Sequence, residues 1–331
     1  MKQHQADRNQ RDDDRYSMIR DSIRAAGMPI VERIRSMRVG FTGSFYPVPK
    51  EVPTDETASW LLERSIELGC RVLQLPMQPE RLERINELSR RAKEHQIELE
   101  LTVPGAFQLA GALADEAGKM KFRQGIEHAK QLGIPIIRTA YGRLNIETSR
   151  FHRPKGIREH LEALVPTLRE AAAMVRDAGL LLAVENHCDF TGRELAQLLD
   201  LVDSPHVGAA LDTGNGYTVF CDPNDDVAAL APYTFTTHLK DMNVVKNPLK
   251  GGIPFTAFGC TLGEGHVDLA AAIELLARHS PCAEGLHLIV EPGWMVMDPS
   301  REASVQSLEF FEKSIRYVEG LKDQLGRGQQ G

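Results

Sequence analysis

Four short, predominantly apolar runs in the second half of the chain each end in an ionisable residue. Residues 180–184 run into Glu185, 207–211 into Asp212, 233–237 into His238 and 286–290 into Glu291. An apolar run of about five residues is the pattern of a strand buried on both faces, as in a parallel sheet. A carboxylate is rarely buried without a partner. Four strands that end in Glu, Asp, His and Glu therefore point to one shared partner, and a divalent cation is the simplest.

The spacing limits the architecture. Glu185 and Asp212 are 27 positions apart, Asp212 and His238 26, and His238 and Glu291 53. A strand, a helix and two loops need about 30 residues, so the first two gaps each hold one βα unit. The last gap holds one unit and a long loop over 242–266. Upstream the same alternation continues, with strands expected at 38–45, 70–75, 97–103 and 134–140. Helices are expected at about 53–68, 79–95, 115–132 and 154–178, with Gly69, Gly133 and Gly179 as stops. Thr191-Gly-Arg-Glu194 is a capping box that opens the next helix. Short helices at 224–230 and 267–278 and a last one at 299–325 complete eight units. Right-handed crossovers then give an α/β fold, a single (β/α)8 TIM barrel with an N-terminal extension. The other candidate is an open doubly wound sheet. No Gly-x-Gly-x-x-Gly follows the first strand, and four successive strand ends converge on one point, which a closed barrel does naturally.

The expected divisions are a polar, partly helical extension over 1–37, the barrel over 38–326 and a disordered tail over 327–331. Residues 1–15 are almost wholly polar and read as disordered. Met18, Ile19, Ile23, Ile30, Ile34 and Met37 fall loosely on one helical face that Gly27-Met28-Pro29 interrupts. That face is expected to pack on the domain or on a neighbouring subunit. Deleting residues 1–15 should leave the melting temperature and the metal content unchanged. A large drop in melting temperature would mean that the segment docks.

The net charge of −7 over 331 residues, with no basic run interleaved with aromatics, argues against a nucleic-acid partner. No apolar stretch of 18 residues exists, and residues 1–10 hold no apolar leader, so no membrane span and no secretion signal are expected. Cys70, Cys188, Cys221, Cys260 and Cys282 are odd in number and scattered. They read as reduced thiols of a cytoplasmic protein.

Glu185, Asp212, His238 and Glu291 are the expected metal ligands. Three carboxylates brought together repel one another, and a cation removes that penalty. One imidazole and three carboxylates suit Mn²⁺ best, with Mg²⁺, Co²⁺ and Zn²⁺ as other candidates. The bland alternative is a salt-bridged ring, but no arginine is expected at the same strand positions to form one. His187, two residues after Glu185, faces the same side and serves as a general base, a substrate donor or a satisfied structural histidine. Lys240 stands in the same relation to His238, with an ion pair to Asp241 or Glu264 as its alternative. Asp268 reads as a helix cap. Glu264 is a candidate contact for substrate hydroxyls. Tyr141, Arg143 and Arg138 are candidates to line the pocket, and Trp294 could stack on a sugar face. The 242–262 loop reads as a lid or substrate wall.

Val184-Glu-Asn-His187, Leu211-Asp-Thr-Gly-Asn215, His238-Leu-Lys-Asp241, Gly263-Glu-Gly-His-Val-Asp268 and Val290-Glu-Pro292 resemble the xylose isomerase-like barrel superfamily of sugar phosphate isomerases and epimerases. The resemblance spans about residues 39–325. It implies that Glu185, Asp212, His238 and Glu291 hold the metal and that Glu185 and Glu291 form the acid/base pair. It also implies a small-molecule sugar or sugar derivative as substrate and a homo-oligomer. The expected activity is metal-dependent isomerisation or epimerisation through an enediolate. Elimination, as in inosose dehydratases or the catalytic subunits of C-glycoside deglycosidases, is the alternative, and the latter would bring a second subunit. A non-catalytic sugar-binding barrel is the other class in play, and the intact ligand set speaks against it. The extra histidines with which endonuclease IV binds several zinc ions are missing from the matching strand ends.

Overall fold

The computed structural model describes residues 28–77, 82–103, 116–142 and 144–327. Ten strands are present among them: β1 (Arg38–Thr42), β2 (Val72–Pro76), β3 (Glu98–Thr102), β4 (Ile136–Ala140), β5 (Leu181–Glu185), β6 (Val207–Asp212), β7 (Thr234–Leu239), β8 (Asp241–Lys246), β9 (Phe255–Cys260) and β10 (His287–Val290). β1 to β7 and β10 close a parallel barrel in chain order, with β10 hydrogen-bonded to both β7 and β1. The expected eight-stranded barrel is thus the observed one.

The helices among the described residues are α1 (Ile30–Ser36), α2 (Thr57–Glu67), α3 (Leu82–Glu94), α4 (Glu116–Leu132), α5 (Ile157–Asp177), α6 (Gly192–Val202), α7 (Pro223–Leu230), α8 (Leu269–His279) and α9 (Ala303–Gly326). Their stops follow local chemistry. Gly179, after α5, has φ of 72°, a left-handed conformation that costs glycine little. The capping box at α6 is formed on both sides: Thr191 Oγ1 accepts from the Glu194 amide, and Glu194 Oε2 accepts from the Thr191 amide. Asp268 caps α8 by accepting from the Ala271 amide at 2.9 Å. Of the extension, α1 is described and packs on α8 and α9. Residues 1–27 and 328–331, with the expectations made for them, lie outside the described residues.

The main core fills the layer between barrel and helices, with Phe41, Leu73, Leu101, Phe310 and Phe311 fully buried. A separate cluster of Ile136, Ala183, Ala210 and Phe235 packs apart from it. Ile136 and Ala183 share strand parity with Arg138 and Glu185, so these four side chains face the lumen. In a small barrel the lumen is packed with side chains rather than open, and here many of them are polar.

The loop expected at 242–262 is largely a hairpin. β8 and β9 pair antiparallel over six positions, from Asp241 opposite Cys260 to Lys246 opposite Phe255. Val244, Val245, Phe255, Thr256 and Phe258 supply the β-branched and aromatic residues that favour strands. The hairpin base is tied down: the Gly259 amide donates to the Trp294 carbonyl at 3.1 Å. No helix among the described residues is long and apolar enough to cross a membrane.

Candidate functional site

Glu185 ends β5, Asp212 ends β6, His238 lies near the end of β7, and Glu291 follows β10. These four strands are adjacent in the barrel. The register sets Asp212 beside His238, so the side chains converge at one side of the mouth. All four residues are buried, and one ligand atom from each lies within 4.8 Å of the other three. Ligands at about 2.0–2.2 Å from one ion are at most roughly 4.4 Å apart, so a small adjustment closes the shell. The donor set fits. Glu185 Oε2, Asp212 Oδ2, His238 Nδ1 and Glu291 Oε2 are buried without a well-aligned hydrogen bond, with Arg138 against the first, Lys240 against the second and the last two against each other, and a cation among them would relieve the repulsion of three crowded carboxylates.

The remaining atoms of these four residues are held in place. Asp212 Oδ1 accepts from the amides of Gly214 and Asn215 at 2.8 and 2.9 Å. Asn186 bridges β5 to β6: its Oδ1 accepts from the Asp212 amide at 2.7 Å, and its Nδ2 donates to the Asp212 carbonyl at 2.9 Å. Asn215 Nδ2 donates to Glu185 Oε1 at 3.3 Å. Sequence reasoning did not single out Asn186 or Asn215 for these tasks, although both stand within the strand-end motifs.

Two cations accompany the cluster. Lys240 Nζ lies 2.8 Å from Asp212 Oδ2 and 3.9 Å from Glu291 Oε2, and it donates to Asn215 Oδ1 at 3.0 Å. Burial disfavours its ammonium, but Asp212 and Glu291 outweigh that and hold its pKa above the ordinary lysine value. The alternative pairing of Lys240 with Asp241 or Glu264 does not form. Asp241 is engaged by the amides of Met242, Gly263, Gly265 and Val267 at 2.8–3.1 Å, which fixes the turn before α8. The second cation corrects another expectation. An arginine does stand on a neighbouring strand: Arg138 of β4 pairs with Glu185, with the two side chains 13% and 1% exposed. Burial lowers the Arg138 pKa, opposed by Glu291, Asp212 and Glu100. Burial would raise the Glu291 pKa, but His238, Lys240 and Arg138 pull it well below the usual carboxylate range.

Beside the cluster, a cavity is lined by Tyr141, Glu185, Asn186, His187, Asp189 and Phe190, among others. Tyr141 is buried and stacks on Phe190 with ring centroids 5.2 Å apart. His187 Nδ1 lies 3.4 Å from Asp189 Oδ2, and Asp189 Oδ1 accepts from Thr148 Oγ1 at 3.2 Å. Gly142 permits this arrangement. Its φ is 87°, and a Cβ there would stand 1.7 Å from Asp189 Oδ2. The aspartate behind His187 was not anticipated. Glu264 is exposed, and Trp294 is 43% exposed beyond β10. Among the described residues neither has a hydrogen bond or ion pair to the cluster. Arg143 lies outside the described residues.

Comparison with known proteins agrees with this architecture. The chain is 25% identical over 289 residues to 3-oxo-isoapionate decarboxylase of Pectobacterium atrosepticum, covering 83% of this chain and 91% of that one. Among solved structures, an L-ribulose 3-epimerase superposes with a TM-score of 0.64 at 14% identity, covering 88% of this chain and 96% of the other. D-psicose 3-epimerase with D-tagatose from Clostridium cellulolyticum superposes with a TM-score of 0.62 at 15% identity, over 87% and 99%. At these identities the structural likeness is one of fold. The profile of the xylose isomerase-like TIM barrel family matches residues 61–314, from within α2 to within α9, and this chain belongs to that family.

Proposed function

We propose that this protein is a metal-dependent enzyme acting on a sugar or sugar derivative, removing a proton next to a carbonyl to isomerise or epimerise it. The observation that carries this is the set of four buried ligand atoms, without aligned hydrogen bonds, at four adjacent strand ends. Glu185, Asp212, His238 and Glu291 would hold the ion, with Mn²⁺ the best match and Mg²⁺, Co²⁺ or Zn²⁺ as alternatives. When bound, a divalent ion acidifies the C–H beside a coordinated carbonyl and stabilises the enediolate. The protein's own groups do the rest. Glu185 and Glu291 carry the proton, one removing it and the other returning it. Return to the opposite face of the same carbon gives an epimer, and return to the neighbouring carbon gives an isomer. His187, oriented by Asp189, is a third proton carrier at the cavity. Tyr141 and Lys240 line the substrate's path, and Glu264 and Trp294 are left as outer contacts.

A second reading is a lyase, and Arg138 and Lys240 favour it. Two buried cations beside the cluster suit a substrate carboxylate next to the carbonyl, and the relative named above is a 3-oxo-isoapionate decarboxylase. Breaking the bond to that carboxylate releases CO₂ and leaves its electron pair on the carbon that proton removal would also charge. A proton donor then quenches it.

The test has two parts. Asp212→Asn and His238→Ala should lose most of the bound metal, because each leaves an incomplete ligand shell. Full occupancy of both variants by elemental analysis would exclude this site. Metal-loaded protein in D₂O with a panel of ketoses and 3-oxo sugar acids should then place deuterium beside the carbonyl of a ketose. Release of CO₂ from a 3-oxo acid, with no exchange into any ketose, would replace the isomerase reading by the lyase.

A further inference from the structure

We propose that Gln74, held by Glu100, is a positioning residue that fixes the protonation of His238 so that Nδ1 is free to take the metal. This rests on the metal reading of the cluster, but it has a readout of its own.

The four residues concerned reach across the lumen. Gln74 is on β2, Glu100 on β3, His238 on β7 and His287 on β10, all buried. Gln74 Oε1 lies 2.9 Å from His238 Nε2 and accepts from Thr102 Oγ1 at 3.2 Å. Gln74 Nε2 donates to Glu100 Oε2 at 3.0 Å. The other Glu100 oxygen lies 2.5 Å from His287 Nδ1.

The chain of donors and acceptors has one consistent direction. An ionised carboxylate only accepts, so Glu100 requires the amide nitrogen of Gln74 on its side. The amide oxygen must then face His238. An amide oxygen also only accepts, so Nε2 of His238 carries the proton. In the neutral imidazole this leaves a lone pair on Nδ1. That atom points into the cluster, 3.5 Å from Glu185 Oε1 and beside Glu291 Oε2. Flipping the Gln74 amide would set its oxygen against the Glu100 carboxylate, two acceptors in contact, so the Glu100 link holds the amide in the other orientation. Glu100 is kept ionised despite complete burial because His287, itself clamped by Glu98, lowers its pKa. The buried ion pair therefore sets the polarity of a hydrogen-bond chain that ends at a ligand. Groups behind metal-bound histidines commonly act in this way, and losing one costs about 10–100-fold in metal affinity.

Gln74→Leu removes both links at similar volume, and Glu100→Gln frees the Gln74 amide to flip without opening a cavity. In metal-free protein at a pH high enough for the ring to be neutral, ¹⁵N–¹H correlation of the His238 ring should show the Nε2–H tautomer for wild type and a mixture for both variants. Mn²⁺ titration should show about 10–100-fold weaker binding in Gln74→Leu, with a smaller loss in Glu100→Gln. Should Gln74→Leu fail to fold, Glu100→Gln alone decides. Folded variants that keep the wild-type tautomer and Mn²⁺ affinity would reduce Gln74 to packing and overturn the proposal. If wild type binds no Mn²⁺, the metal reading fails, while the ring spectra still test the role of Gln74.

Discussion

Glu291→Gln should abolish turnover together with exchange of the substrate C–H in D₂O. Glu291 is 5% exposed, and its carboxylate lies against His238, with Lys240 and Arg138 in range. On the proposed mechanism the substitution keeps the volume and removes two things, a proton carrier and a negative ligand. Loss of a general base alone typically costs about 10²–10⁴ in rate. Weakened metal binding adds to this, because the neutral amide leaves Lys240 and Arg138 with one less counter-charge. The informative comparison is with His187→Ala on the same substrate, followed by proton NMR. Under the two-glutamate mechanism, Glu291→Gln loses exchange and His187→Ala keeps a measurable part of it. The reverse pattern, with an unsaturated product from wild type, would assign the base to His187 and favour elimination.

The fold and the four cluster residues were legible because they obey local rules. Parallel strands show as apolar runs, strand ends interrupt those runs with charge, and the length of one βα unit is nearly constant. The partners of the cluster obey non-local rules. Arg138 stands opposite Ala183 across the β4–β5 ladder, and Ala140 stands opposite Glu185. Arg138 therefore shares the lumen-facing parity of Glu185 and reaches two pairs up the ladder to it. Its position within a strand was visible, but the register that aims it was not. Glu98 and Glu100 alternate with leucines, the pattern of a half-exposed strand. In a barrel the second face is the lumen, so Glu100 is wholly buried and finds His287 at a sequence separation of 187. The hairpin of β8 and β9 reads as a loop in the sequence because its tip, 247–254, holds two Gly and two Pro. Asp241 illustrates the same limit. Next to Lys240 in sequence, it is that residue's alternative partner, but four backbone amides outcompete a single ammonium.

The buried His287 should make the barrel lose stability as the pH rises from about 6.5 to 9. His287 lies between Glu98 Oε2 at 2.7 Å and Glu100 Oε1 at 2.5 Å, and Glu98 is in turn paired with Arg38 at 2.9 Å. Burial alone would depress its pKa, but the two carboxylates raise it to about 9. In the unfolded chain the value is about 6.5. The folded state therefore holds the extra proton between these limits. The stabilisation is complete below about pH 6.5 and is lost as the pH rises through 9. At 1.36 kcal/mol per unit the contribution is about 3 kcal/mol. Glu98 and Glu100 have lowered pKa values, so their share is present above the ordinary glutamate value of about 4.3 and is lost in acid. The window at issue runs from about pH 6.5 to 9. The Cys282 thiol is pushed up to about 11, by burial and then by Glu100, and titrates above it. The melting temperature of metal-free protein should thus be highest between about pH 5 and 6.5 and fall towards pH 9. His287→Leu should be less stable by about 3–5 kcal/mol, since it strands a buried carboxylate, and should lose the alkaline slope. A wild-type melting temperature that is flat from pH 6.5 to 9, or a slope that survives in His287→Leu, would show that His287 does not hold its proton in the fold.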